Sequence, residues 1–344
     1  MKAFFKASAV FAIVCAMCAA TTMVAFADTE ALANAARKEG EVTWYVGSID
    51  NRNAEAAGNA FTAKYGVKVN VVRAASQIIF QRLSQDLSQR AATADVFSSV
   101  DVGNFVALKA KGALLKYETQ ADSQLLEPFR NLDPDKFFHA TVASVIVIAY
   151  NKDRVKQADV PHTWKDLLDA KWDGKLALGH PGFSGFAGTW AAQMLKLYGK
   201  SYFDRLEKLH PLVSRSLQDA VGLLGSGERL VSAIPIAPIM ESADKGNPLA
   251  IEYPSDGAIF VATPSAILAN APHPNAAKLF LEFLQGPEFN QIMVKARYES
   301  MRADVKPLPG VKPVTEIKLI RTSIDDQVNG IPKAAELWRD IFGQ

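Results

Sequence analysis

The order in which strand and helix signals alternate along this chain narrows its fold more than any other feature. Val42-Thr43-Trp44-Tyr45-Val46 is a β-branched and aromatic run that ends at the turn residues Gly47-Ser48. Over 54–65, Ala57, Phe61 and Tyr65 recur four apart on one helix face, and Gly66 stops the helix. Residues 67–72 read as a second strand, and Ser76 opens a helix through Leu83 and Leu87. Asp95-Val96-Phe97 is a third strand, followed by Ser98-Ser99 and a helix over 105–111 that stops at Gly112. This β-α-β-α-β order predicts an α/β fold: a mixed, mainly parallel sheet flanked by helices.

The pattern then repeats. Residues 142–150 are so apolar that they predict a buried central strand. A short helix over 162–168, a strand over 175–179 and a long helix from Ser184 to Tyr198 follow. Ser216-Leu217-Gln218-Asp219 reads as a capping box for a helix to Leu224, before a strand over 230–234. The stretch 251–268 predicts short strands broken at Pro254, Asp256-Gly257 and Pro264, and 275–285, 287–296 and 325–342 read as helices. Two α/β units without a flexible linker predict two lobes around a cleft, with the chain crossing more than once. The expected division is 28–133 with 256–304 in lobe 1, and 134–255 with 305–344 in lobe 2.

The first 27 residues read as an export signal rather than as structure. Lys2 and Lys6 precede the uncharged apolar run 7–20, and Ala25-Phe26-Ala27 supplies a cleavage site. The run is shorter than the ~20 residues a membrane span needs. Both cysteines, Cys15 and Cys18, lie in this segment, so the expected mature chain has no disulfide, thiolate nucleophile or cysteine metal site. Removing 27 of the 344 residues leaves 317, enough for two domains. It also removes two of the 38 basic residues, leaving 36 against 36 acidic ones. A neutral chain argues against a nucleic-acid partner, which calls for a basic stripe.

His180-Pro181-Gly182-Phe183-Ser184-Gly185-Phe186 is the strongest local signal for chemistry. Ser184 is a good N-cap, Gly185 lets backbone approach a guest, and the first N–H groups of the following helix can hold an oxyanion. The same residues also read as a capped helix and nothing more. Ser48, Ser76-Gln77, Ser98-Ser99 and Arg215-Ser216 end strands in the same way. In open α/β sheets ligands bind at the carboxyl ends of strands. Each serine alone also reads as a cap; Arg215 suits a fork-like contact with an acid group. Enzyme signatures are missing. No G-x-S-x-G elbow, H-E-x-x-H or Walker-type phosphate loop occurs. The five histidines have no metal-ligand spacing, and no cofactor motif is found.

In this order, several motifs resemble the type II periplasmic solute-binding proteins of ABC transporters, in the ferric-binding-protein-like branch. They are Tyr45, Phe61-x-x-x-Tyr65-Gly66-Val67-x-Val69, Asp95-Val96 leading to Ser98, Ala149-Tyr150-Asn151, and Trp164-x-Asp166-Leu167-Leu168. They continue with Trp172-x-Gly174-Lys175, Ser184-Gly185, Gly227-Glu228, Ala276-Ala277-Lys278-x-Phe280-x-x-Phe283-Leu284 and Arg302-x-Asp304-Val305. The resemblance implies a two-lobed type II binding-protein fold that closes on a small molecule, periplasmic residence, and docking to a membrane permease. It implies Ser184, Gly185 and Phe186 as an anion platform, and Ser48, Ser76, Ser98, Tyr150 and Arg215 as cleft residues. It departs at Pro235-Ile236-Ala237-Pro238-Ile239-Met240, where ferric-binding relatives carry tyrosines, so iron binding is not expected. The expectation is a monomeric, non-enzymatic carrier of a small organic anion. Two alternatives stand beside it. One is a cationic solute such as a polyamine or thiamine, for which Asp50, Asp101 and Asp256 are the nearest acids. The other is a secreted enzyme on the same fold.

Overall fold

The structure, a computed structural model, describes residues 29–91, 93–215 and 217–343, so the expected export segment and Ser216 lie outside the described residues. Helix α1 spans 29–39 and leads into β1 (Glu41–Val46), α2 (Asn51–Tyr65), β2 (Lys68–Arg73), α3 (Ser76–Ser88), β3 (Val96–Ser98) and α4 (Val102–Ala110). Strand β1 pairs in parallel with β2 on one side and β3 on the other. The four-residue apolar spacing seen in the sequence drives α2 onto this sheet. Phe61 is fully buried, and its ring meets Phe280 edge-on at 4.9 Å. Gly66 closes the helix with a left-handed backbone (φ 73°), as a C-cap glycine should.

Next come β4 (His139–Asn151), β5 (Leu176–Gly179), α5 (Gly185–Tyr198), α6 (Lys200–Glu207), β6 (Leu212–Ser214), α7 (Leu217–Ser226) and β7 (Val231–Pro235). The chain ends with α8 (Ile236–Asp244), β8 (Leu249–Glu252), β9 (Ala258–Ile267), α9 (Pro274–Gln285), α10 (Pro287–Lys295), β10 (Leu319–Arg321) and α11 (Ile331–Phe342). The main sheet runs β2-β1-β3-β9-β4-β7-β5-β6; β10 pairs with β9 and β8 with β4. Its centre is antiparallel, because β4 and β9 pair from His139–Ser265 to Ile146–Ile259. Both strands are buried along their whole length. They belong to both halves of the molecule: β9 joins the parallel group β2-β1-β3, and β4 joins the parallel group β7-β5-β6.

Each half carries its own core. Trp44, Phe61, Phe280 and Phe283 anchor one, and Trp164, Trp190, Tyr202, Phe203 and Trp338 the other. Helix α11 packs on α5 and α6, with Trp338 meeting Phe203 at 5.9 Å.

Three expectations need correction. The stretch over 251–268 does not break at Pro264; β9 runs straight through it. The pairing of β4 with β9 shifts register between Ala140 and Val142, opposite this proline, so its missing N–H meets a bulge rather than an unpaired carbonyl. The helix expected over 105–111 begins earlier, at Val102, because Asp101 caps it through the Gly103 N–H. The helix expected over 325–342 is divided into a π-helical turn, Asp326–Gly330, and α11.

Candidate ligand cleft

A parallel strand followed by a helix places the strand's carboxyl end and the helix's amino end on the same edge. The two halves of this molecule turn those edges toward each other. Between them lies a cavity of about 240 Å³. Asp50, Ser76-Gln77, Ser184-Gly185-Phe186, Leu217-Gln218 and Ala237-Pro238 bring the starts of α2, α3, α5, α7 and α8 to its wall.

Two of these helix starts hold unused donors. At α5, the Ser184 hydroxyl accepts from the Ala187 N–H at 3.3 Å, while the N–H groups of Gly185 and Phe186 find no acceptor among the described residues. At α3 no side chain among the described residues caps the helix, and the N–H groups of Ser76 and Gln77 likewise find no acceptor among them. The loop before α5 is shaped by His180, whose ring nitrogen accepts from the Gly182 N–H at 2.9 Å and whose carbonyl accepts from Phe183 and Ser184. A Cβ on Gly185 would come within 3.1 Å of Val100 in the opposite half, so glycine permits this approach.

The hydroxyls of Ser48 and Ser144, in residues only 6% and 3% exposed, line the cavity and have no hydrogen-bond partner among the described residues. A buried hydroxyl without a partner is costly, and a polar guest would satisfy it. Charge is distributed unevenly. Arg73, at the end of β2, donates from Nε to the Ile49 carbonyl at 3.1 Å and meets no carboxylate among the described residues. Arg215, after β6, stacks over the Phe183 ring at 4.8 Å and also meets none. The two acids on the wall are already engaged. Asp50 caps α2, accepting from the Asn53 N–H and side-chain amide at 3.0 and 2.5 Å. Glu241 accepts from Arg52 at 2.6 Å and Lys245 at 3.0 Å. Burial works to raise the Glu241 pKa, but these cations outweigh it and hold the carboxyl below its ordinary value. Tyr298 also lines the cavity; burial, then the fields of Asp50 and Glu241, push its phenol well above the usual range, so it is neutral.

The model of the bacterial extracellular solute-binding proteins matches residues 48–291, well over half of the chain. This chain belongs to that family. Its relatives include an uncharacterized protein of Haemophilus influenzae, 25% identical over 274 residues, covering 77% of this chain and 78% of the relative. A putative 2-aminoethylphosphonate-binding periplasmic protein of Salmonella paratyphi A is 23% identical over 284 residues, covering 78% and 77%. Among solved structures, AfuA of Actinobacillus pleuropneumoniae with fructose-6-phosphate bound gives a TM-score of 0.77 at 23% identity, covering 88% of this chain and 99% of that one. Iron-bound HitA of Pseudomonas aeruginosa gives 0.77 at 20% identity, with the same coverage. At these identities the structural likeness speaks for the two-lobed binding-protein fold.

In this solute-binding protein, Ser48, Ser76, Gln77, Ser184, Gly185, Phe186 and Arg215 are brought together on the cavity wall. Two other expected residues are not, and their placement corrects the reading from sequence. The Ser98 hydroxyl accepts from Trp44 Nε1 at 2.7 Å and bonds the Ser265 hydroxyl at 2.5 Å inside the core. Tyr150 is buried in the core of the second half, where burial and then the charge of Glu252 raise its pKa. Ser216 lies outside the described residues. The sequence reading missed Arg73, Ser144, Glu241 and Tyr298. Arg73 ends a strand, the position the strand-end argument singles out. Ser144 is a lone hydroxyl in an apolar run. Nothing local marks Glu241 or Tyr298. Of the acids considered for a cationic solute, Asp101 caps α4 through the Gly103 N–H, and Asp256 accepts from Trp164 and Tyr198; neither lines the cavity.

Proposed function

We propose that this protein captures a small organic anion, a carboxylate, phosphonate or phosphate ester, and delivers it to the membrane permease of an ABC importer. The observation that carries this reading is the pair Arg73 and Arg215, one from each half, neither matched by a carboxylate. Glu241 is paired with Arg52 and Lys245, and the Asp50 carboxylate is turned to the start of α2, so two arginines without an ion pair face one such carboxylate and the balance of charge on the wall is positive. The unused N–H groups of α3 and α5 and the hydroxyls of Ser48 and Ser144 add donors of the kind an oxyanion accepts. The names of two relatives agree in chemistry, since a phosphonate and a sugar phosphate both present a phosphorus oxyanion. The Pro235, Ala237 and Pro238 side chains offer apolar surface for an organic body and no oxygen for a ferric ion. The reading includes export after cleavage at Ala27, periplasmic residence, a monomeric state and binding without turnover. It keeps lobes of 28–133 with 256–304 and 134–255 with 305–344.

The test is calorimetry with 2-aminoethylphosphonate, fructose 6-phosphate, a dicarboxylate and spermidine, on the wild type and on Arg73→Ala and Arg215→Ala. One anion class should bind, and each substitution should weaken it about 10- to 100-fold, as expected for a lost charge-assisted contact. Binding of spermidine alone, or unchanged anion affinity in both variants, would overturn the reading.

A further inference from the structure

On one side of the cleft, α8 faces α2 and α10 through charge rather than apolar packing. Helix α8 belongs to the half built on β4, β7 and β8, whereas α2 and α10 pack on each other and on β2 and α9. No apolar cluster contains residues of α8 together with residues of α2 or α10. Instead, a second cavity of about 450 Å³ lies between them, lined by Ala56, Ile292 and Lys295 on one side and by Asp244 and Lys245 on the other. Two ion pairs cross it. Arg52 of α2 donates to Glu241 of α8 at 2.6 Å. Arg297, just after α10, grips Asp244 of α8 with two parallel bonds, Nε to Oδ2 at 2.8 Å and Nη2 to Oδ1 at 2.7 Å. Its remaining Nη1 donates to the Pro309 carbonyl at 2.8 Å, which fixes the fork.

We propose that Arg52–Glu241 and Arg297–Asp244 form a ligand-independent clasp that holds the two halves together along α8 and must break for the cleft to open. Glu241 lines both the ligand cavity and the outer one, so Arg52 acts as a positioning residue for the cleft wall. The opposite rim is built differently. There Phe183 and Ile78 stand 48% and 60% exposed, and no ion pair among the described residues joins α3 to α5 or α7. A single exposed ion pair contributes little, but a bidentate pair beside a three-charge group acts as a network. Two such links suffice to shift an open–closed ratio by about five- to tenfold. Because the pairs are partly exposed, salt weakens them.

The inference is independent of the ligand's identity and is tested without one. The sequence beyond residue 27 has no cysteine, so Ile78→Cys and Leu197→Cys place two unique dyes on opposite halves of the exported form. Single-molecule energy transfer then reads the open and closed populations. In 50 mM salt the otherwise wild-type protein should be mainly closed. Arg52→Gln with Asp244→Asn should raise the open-to-closed ratio about five- to tenfold, and 1 M NaCl should do the same to the wild type while leaving the double variant unchanged. Equal populations in variant and wild type, or a wild type indifferent to salt, would overturn the clasp. If the double variant fails to fold, the salt series on the wild type decides alone.

Discussion

Glu299 shows how far one side chain can depart from what its type suggests. It is 2% exposed, and neither carboxylate oxygen has a hydrogen-bond partner among the described residues. Its backbone N–H donates to the Ala143 carbonyl of β4, which draws it under the strands shared by the two halves. Burial pushes its pKa up to about 8, so at neutral pH the folded chain holds a proton that the unfolded chain releases. With the folded pKa above the unfolded one, this contribution to stability is fully present below about 4.5. It falls away as pH rises towards 8. Glu299→Gln keeps the shape and removes the ionisation. Its melting temperature should match the wild type near pH 5 and exceed it at pH 8.5; parallel pH profiles for the two proteins would show that Glu299 is not buried as a lone acid. At this scale the sequence is a partial guide. Ser48 and Ser98 look alike as strand-end serines. Only the partners around them separate an unsatisfied hydroxyl on the cavity wall from one absorbed by Trp44 and Ser265.

Elements were the most legible level, because periodicity and capping act locally. Helices α2, α3 and α5 begin and end within a few residues of the expected places; Gly66 and Ser184 carry local signals that no tertiary contact has to supply, whereas the Ser76 hydroxyl does not cap α3 and donates to the Gly47 carbonyl instead. Less was visible where an element depends on its neighbours. Strand β6 is three residues long and only half-buried, and β9 carries a proline that only a bulge in β4 makes tolerable. Junctions between elements carry the tightest geometry. A Cβ on Gly47 would lie 2.8 Å from the Ser76 Cα and 3.1 Å from its nitrogen, so α3 can begin where it does only because residue 47 has no side chain. Gly47→Ala should therefore displace the start of α3. The expected cost is about 1–3 kcal/mol, read as a lower thermal midpoint, together with weaker anion binding, because Ser76 and Gln77 move with the helix. A variant that melts and binds like the wild type would mean that the two segments do not touch this closely.

The whole molecule is bound together by β4 and β9, each buried end to end and each paired within both halves. Neither half can lose its sheet without breaking a strand of the other. Calorimetry should accordingly show one cooperative transition with equal calorimetric and van't Hoff enthalpies. Two resolved transitions would mean that the halves unfold independently despite the shared strands. The amino-acid sequence by itself determined the α/β class, the order of the elements, the long apolar strand at the centre, and the strand-end serines and Arg215 as candidates. These follow from hydrophobic period, caps and turn residues, which act over a few positions along the chain. Only the tertiary structure decided that Arg73 faces the cleft without a carboxylate, that Asp50 caps α2 while Glu241 is paired with Arg52 and Lys245, and that Ser98 and Tyr150 are core. It also decided that α8 is tied to α2 and α10 by ion pairs. Each of those facts depends on which residues meet across tens or hundreds of positions, and burial and charge are properties of that meeting rather than of the residues alone.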